Sequence, residues 1–197
     1  MEKARGTLQL SWLSRGAAAM ARSFGFRHGV HPPDQKELTA NLPIRRMPFP
    51  EEIVLPVRQA LGKPARVIVK VGDRVERGDK LAVADGFMSV PVHASAAGTV
   101  SAIEYWPHPD GSTDLAIRIA VDRHSPQILR PRIVPQWREL KREQIAGAIQ
   151  DAGLVGLGGA AFPTHVKLSP PAGSEVHTVI VNGAECEPYL TTDHRSM

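Results

Sequence analysis

The sequence predicts two folded parts in tandem: a small β domain of sandwich or barrel type, then the opening of an α/β unit. Three observations carry this reading. Between Ala65 and Val121 short β-branched runs are broken by Gly and Asp, the pattern of brief strands joined by tight turns. After Pro135 apolar residues recur at spacings of three or four and lead into a glycine-rich loop and a β-branched run, the order helix, loop, strand. The 17 Gly and 17 Pro among 197 residues exceed their usual joint share of about 12%, which favours turns over long helices.

Taken in order, residues 1–24 form a basic extension with small residues and no steady period. Residues 25–56 hold Pro32, Pro33, Pro43, Pro48, Pro50 and Pro56. Each fixes its own φ and pushes its predecessor toward extended geometry, so a wrapping strap is expected and not a helix. Within residues 57–124, the β domain, Val67, Val69 and Val71 alternate with Arg66, Ile68 and Lys70 and end at a Gly72-Asp73 turn. Leu81–Ala84, Ser89–His93, Thr99–Glu104 and Ala116–Val121 read as further strands. In residues 136–197, Trp137, Leu140, Ile145, Ala148, Ile149 and Ala152 mark an amphipathic helix that Gly153 stops. Val176–Val181 reads as a buried strand ending at Asn182. Only 14 residues follow Gly183, where the run ends. One strand cannot cover both faces of an α/β layer, so the expectation is a piece of a longer protein or a core completed from elsewhere.

Apolar residues at 42% and charged residues at 22% place the chain among folded globular proteins. A single cysteine, Cys186, closes no internal disulfide and supplies too few thiolates for a zinc or iron–sulfur site, which points to a reducing cytoplasmic setting and no metal. The net charge is +4, unevenly spread. Residues 1–48 hold eight Lys/Arg against three Asp/Glu, so the leading arm suits an anionic surface such as a membrane leaflet or an acidic partner. The aromatic residues do not interleave with the basic ones, which argues against nucleic acid. No secretory leader is expected, because the apolar stretch after Met1 is short and broken by Gln9 and Ser11. No run approaches the roughly 18 apolar residues of a membrane span.

Two motifs carry chemistry. In Val69–Val100 a strand, a Gly-Asp turn, a second strand, a tight hairpin and Pro-Val-His-Ala leading to Gly-Thr-Val resemble the biotinyl/lipoyl type of barrel-sandwich hybrid. Carriers of that type present a lysine on the hairpin for acylation. Here the hairpin reads Asp85-Gly86-Phe87-Met88-Ser89, so a docking or spacing role is expected. The second motif is GLGGAAFPTHVK (Gly156–Lys167) followed by VNGAECEP (Val181–Pro188). Glycines let backbone N–H groups approach phosphate oxygens, and Lys167, eight residues beyond Gly159, adds a cation. Asn182, Glu185 and Glu187 offer acceptors for ring nitrogens or sugar hydroxyls.

These segments, with GVHPP (Gly29–Pro33), LPIRRMPFP (Leu42–Pro50), GLGGAAFPTHVKLSPP (Gly156–Pro171) and VNGAECEPYLTTDHRSM (Val181–Met197), resemble the C subunit of the Rnf ion-translocating electron-transport complex. The flavin signature is also similar to that of the NADH-binding flavoprotein subunit of respiratory complex I. The resemblance implies a fold class of mixed β and α/β: a barrel-sandwich hybrid domain, then the start of a Rossmann-like flavin-binding domain. It implies FMN as cofactor and NADH as substrate at a partial site, with 4Fe-4S clusters held only by a downstream region of the family. Gly156, Gly158 and Gly159 then correspond to the loop beside the flavin phosphate, and Lys167 to the lysine reaching it. Asn182, Glu185 and Cys186 fall on FMN contacts, Phe162 on an aromatic near nicotinamide or adenine, and Glu187 on the acid near NADH. Leu157, Ala184 and Ala161 depart from the complex I arginine, the complex I aspartate and the usual glycine. The implied partners are membrane and iron–sulfur subunits of an Rnf-type complex, at the cytoplasmic face of the inner membrane. A second expectation is a non-catalytic scaffold resembling the A subunit of the sodium-translocating NADH:quinone reductase.

Overall fold

A computed structural model describes residues 32–129, 137–157 and 159–197. The basic extension, the first residues of the strap and Gly158 lie outside these.

Among the described residues seven strands make two antiparallel sheets. The larger runs β1 (Glu52–Pro56), β7 (Thr113–Val121), β6 (Gly98–Pro107), β3 (Arg74–Val75); the smaller runs β2 (Arg66–Val67), β4 (Lys80–Val83), β5 (Val92–His93). β6 and β7 form the long hairpin, paired from Gly98↔Val121 to Pro107↔Thr113 with a bulge between Val100 and Ala102. The alternation of β7 sends Ile117 and Ile119 inward, where they meet Val57, Val75, Leu81, Ala94 and Val100. Adjacent residues of β4 point to opposite faces, so Leu81 enters that cluster while Ala82 packs with Ala65 and Val92 in a second one. A strand buried on both faces ties the two sheets into one core.

The turns follow from local chemistry used twice. In Lys70–Asp73 the Asp73 N–H donates to the Lys70 carbonyl (3.1 Å), and the Asp73 carboxylate accepts the Lys70 N–H (2.8 Å). Glu76–Asp79 repeats both bonds at 3.1 and 2.8 Å. Gly72 and Gly78 sit at φ +93° and +96°, a left-handed step that side chains resist. The first turn ends the expected Val67–Val71 strand early, so β2 stops at Val67 and Val71 is exposed. The Ser89–His93 run contributes only β5, while β6 and β7 run longer than their expected cores. The proline-rich strap, where no helix is expected, holds one short 3₁₀ turn, Lys36–Leu38, among its described residues, and its end pairs as β1 along β7.

The turn between β6 and β7 is clamped by charge. Arg58 reaches Asp110 (2.8 Å) and Asp114 (2.5 Å). The Ser112 hydroxyl, then the Arg58 guanidinium, hold the Asp110 carboxyl well below the usual carboxylate range. A depressed folded pKa gives stability that is present above the unfolded value of about 4 and is lost as pH falls through the lower folded value. Asp110→Asn is therefore expected to lower the melting temperature at neutral pH and to converge with the unsubstituted chain at acid pH, where its carboxyl is protonated too, so that the acid slope flattens. An unchanged acid slope refutes the clamp.

Beyond the β domain the described residues form helices and loops. A 3₁₀ turn (Trp137–Glu139) precedes α1 (Arg142–Asp151), whose first turn is closed by the Lys141 N–H donating to the Gln144 side chain at 2.8 Å. Gly153, at φ +71°, ends it as expected. Two short helices follow, α2 (Thr164–Lys167) and α3 (Thr192–Ser196). The expected strand at Val176–Val181 is corrected: the segment pairs with no strand among the described residues, and Ile180 is 86% exposed. β-branched composition favours extended backbone, but a strand exists only against a neighbour that takes its N–H and C=O groups. A layered α/β sheet is accordingly not formed by the described residues.

Candidate functional site

The glycine loop is a closed structure. A bridge between Val155 and Pro163, the Gly156 N–H donating to the Phe162 carbonyl (2.9 Å) and the Thr164 N–H donating to the Leu154 carbonyl (3.0 Å) pinch its ends together. α2 starts at the pinch and carries Lys167 on its last turn. A Cβ built on Gly156 would lie 2.7 Å from the Lys167 ammonium. Gly156 therefore gives room to that cation, while its own N–H is committed within the loop. A Cβ on Gly159 would meet nothing within 4 Å, so its backbone faces open space. The Lys167 ammonium also stands 5.9 Å from the Phe162 ring centroid, a cation–π approach.

The opposite wall comes from the chain after Asn182. The Asn182 side-chain oxygen accepts the Ala184 N–H (3.0 Å), an Asx turn that bends the backbone. The Glu185 carboxylate accepts the His194 N–H in the first turn of α3 (3.2 Å). The strap holds this wall from behind. Lys36 donates to the carbonyls of Glu187 (3.3 Å) and Leu190 (2.8 Å), the Tyr189 N–H donates to the Asp34 carbonyl (2.6 Å), and Thr191 donates to Thr39 (2.9 Å).

Between the walls lies a cleft of about 500 Å³ lined by Gly156, Leu157, Gly159, Ala160, Phe162, Lys167, Asn182, Ala184, Glu185, Cys186, Thr192 and Asp193. Of the residues expected from sequence, Gly156, Gly159, Phe162, Lys167, Asn182, Glu185 and Cys186 line this one space. Glu187 does not line it and is seen instead through its backbone carbonyl on Lys36. Leu157 is 90% exposed, so the cleft has a hydrophobic edge where the complex I signature carries an arginine. Asp193 and Thr192 are not among the expected residues; they follow the motif by a few positions and enter because α3 turns them inward. The cleft thus sets a cation and bare backbone against carboxylates and an amide, the chemistry of a phosphate end and a hydroxyl- or nitrogen-binding end.

Ala161, beside the pinch, sits at φ +48°. That region costs an alanine about 1–2 kcal/mol, partly offset in glycine by greater freedom of the unfolded chain. Ala161→Gly is expected to raise stability by about 0.5–1 kcal/mol, read from the urea midpoint. A lowered midpoint refutes this account of the loop.

Residues 24–124 match the family described as the RnfC barrel-sandwich hybrid domain, and residues 149–197 match the Nuo51 FMN-binding domain. The chain belongs to the RnfC family. It is 45% identical over 172 residues to the C subunit of the proton-translocating ferredoxin:NAD(+) oxidoreductase complex of Clostridium ljungdahlii, covering 87% of this chain and 38% of that protein. It is 42% identical over 174 residues to the C subunit of the Na(+)-translocating ferredoxin:NAD(+) oxidoreductase complex of Acetobacterium woodii, covering 87% and 39%. It is 41% identical over 181 residues to the C subunit of the ion-translocating oxidoreductase complex of Rhodobacter capsulatus, covering 89% and 34%. The chain therefore spans less than two-fifths of the length of these relatives. No helix among the described residues is long and apolar enough to cross a membrane.

Proposed function

We propose that the chain supplies the phosphate-gripping part of a flavin site in an electron-input subunit of an Rnf-type complex. Residues 136–197 are then the opening of a Rossmann-like domain that binds FMN and NADH. The observation that carries this reading is the shared cleft, in which Lys167, Gly156 and Gly159 face Asn182 and Glu185. The names of the Clostridium and Acetobacterium relatives, both from ferredoxin:NAD(+) oxidoreductase complexes, support NAD as the redox partner.

When bound, FMN supplies the exchange between two-electron hydride chemistry and single-electron transfer. The work of the chain is binding and orientation. Lys167 pairs with the phosphate, and the bare backbone of the loop, with Gly158 and Gly159, lets that phosphate approach closely. Asn182 and Glu185 accept hydrogen bonds from the polar edge of the flavin or its ribityl chain, with Cys186 beside them. Phe162 offers a flat apolar face to nicotinamide or adenine, and Glu187 is the acid on the NADH side. Any 4Fe-4S centres would be held by other parts of the complex and would supply the single-electron acceptors. The partners are the membrane and iron–sulfur subunits of the complex, with the chain peripheral at the cytoplasmic face of the inner membrane.

The test is a fluorescence titration with FMN and with riboflavin, on the chain alone and on the chain continued with the unmatched part of the Clostridium ljungdahlii relative. The continued form is expected to bind FMN saturably and to prefer it over riboflavin by about tenfold or more, the effect of one charge-assisted phosphate contact. Equal affinity for the two flavins, or no binding in the continued form, refutes the proposal.

A further inference from the structure

Two residues before Lys167, α2 carries a side chain that flavin binding does not use. His165 is 1% exposed. Its Nε2–H donates to the carbonyl of Phe87 at 2.6 Å, and Nδ1 is buried without a hydrogen-bond partner. The Phe87 ring meets the imidazole edge-on, with centroids 5.3 Å apart and planes at 90°. Phe87 belongs to Asp85–Ser89, the hairpin of the β domain.

A second side chain reads the same hairpin. The Gln150 amide on α1 donates to the carbonyls of Gly86 (3.0 Å) and Ser89 (2.9 Å). Three carbonyls of the hairpin are thus capped by donors from α1 and α2. The Leu61 N–H donates to the Ala161 carbonyl (3.2 Å) and the Lys63 N–H to the Met88 carbonyl (2.8 Å), so one stretch of the β domain braces both the hairpin and the glycine loop.

A helix of four residues has too few internal hydrogen bonds to fix its own place. The position of α2, and of Lys167 on it, therefore comes from what it is seated on. We infer that the hairpin Asp85–Ser89 is a seat that sets Lys167 against the glycine loop, with His165 as the positioning residue for the flavin phosphate. The inference rests on the proposed phosphate contact of Lys167. A charge-assisted hydrogen bond weakens steeply with distance and angle, so a helix that slides on its seat loses phosphate affinity first.

FMN and riboflavin separate this role from general packing, because they differ only by the phosphate. In the continued chain His165→Leu is expected to weaken FMN about tenfold with riboflavin unchanged, as loss of one well-aligned charged contact does. His165→Gln, whose amide reaches the Nε2 position, is expected to recover most of that loss. In a Lys167→Ala background His165→Leu is expected to cause no further change, since the two act as one unit. In the flavin-free chain, amide exchange over residues 164–168 is expected to quicken in His165→Leu and to return in His165→Gln. Equal losses for both flavins, an undiminished effect without Lys167, no rescue by glutamine, or unaltered exchange each overturns the inference. Lys167→Ala alone tells the two failures apart. If it is inert, the phosphate reading fails and takes the positioning role with it; if it weakens FMN while His165→Leu does not, only the positioning role fails.

Discussion

Replacing Leu81 with alanine is expected to lower the unfolding free energy by about 2–5 kcal/mol, the range for deleting a fully buried leucine side chain. Leu81 is 0% exposed and, from the smaller sheet, shares one core cluster with Val75, Val100, Ile117 and Ile119 of the larger sheet. The strand cannot shift to fill the space, because its next residue, Ala82, is buried against Ala65 and Val92 on the opposite face. The cost is then the lost transfer energy plus most of a cavity. Urea unfolding measures it as a lower midpoint at an unchanged slope. Val71→Ala, at a position 61% exposed, is expected to stay within about 0.5 kcal/mol. A Leu81→Ala loss below about 1 kcal/mol contradicts a single core shared by the sheets.

Lys167→Ala is expected to weaken FMN binding by about 1–3 kcal/mol while leaving riboflavin binding and folding stability nearly unchanged. The side chain is exposed, and its only described ring contact is Phe162 at 5.9 Å, so little of the fold depends on it. Lys167→Arg is expected to restore only part of the affinity. The ammonium occupies the space that the missing side chain of Gly156 leaves, and a planar guanidinium is broader than that opening. Flavin fluorescence at increasing protein concentration gives both values. A loss shared by FMN and riboflavin sinks the phosphate contact.

Some of this structure is legible in the sequence and some is not, for physical reasons. The cores of β4, β6 and β7 show because alternation and Gly-Asp turns are local signals. β3 is two residues long and is defined by its pairing with β6, so nothing within Arg74–Val75 announces it. β1 hides in a proline-rich stretch, where Glu52–Pro56 becomes a strand only because β7 lies alongside. Val176–Val181 misleads in the opposite sense: its composition is that of a strand, and the partner is lacking among the described residues. At the site, the two motifs bring their residues to one cleft, and Glu187 stands apart because the turn after Glu185 carries it toward Lys36. The seat under α2 leaves no mark in the sequence. His165 and Gln150 bind backbone carbonyls 78 and 61–64 positions away, and any residue presents a carbonyl.

The clasp between strap and acidic wall also bears on the order of assembly. Lys36 grips carbonyls 151 and 154 positions further along, so closing it first would tie off a very long loop, an entropic cost that rises slowly with length but exceeds that of the nearer contacts. Contacts of such separation form late, once nearer ones have shortened the effective loop. During refolding, the amide of Tyr189 is expected to gain protection after those of β6 and β7, making the anionic side of the cleft the last part to ripen.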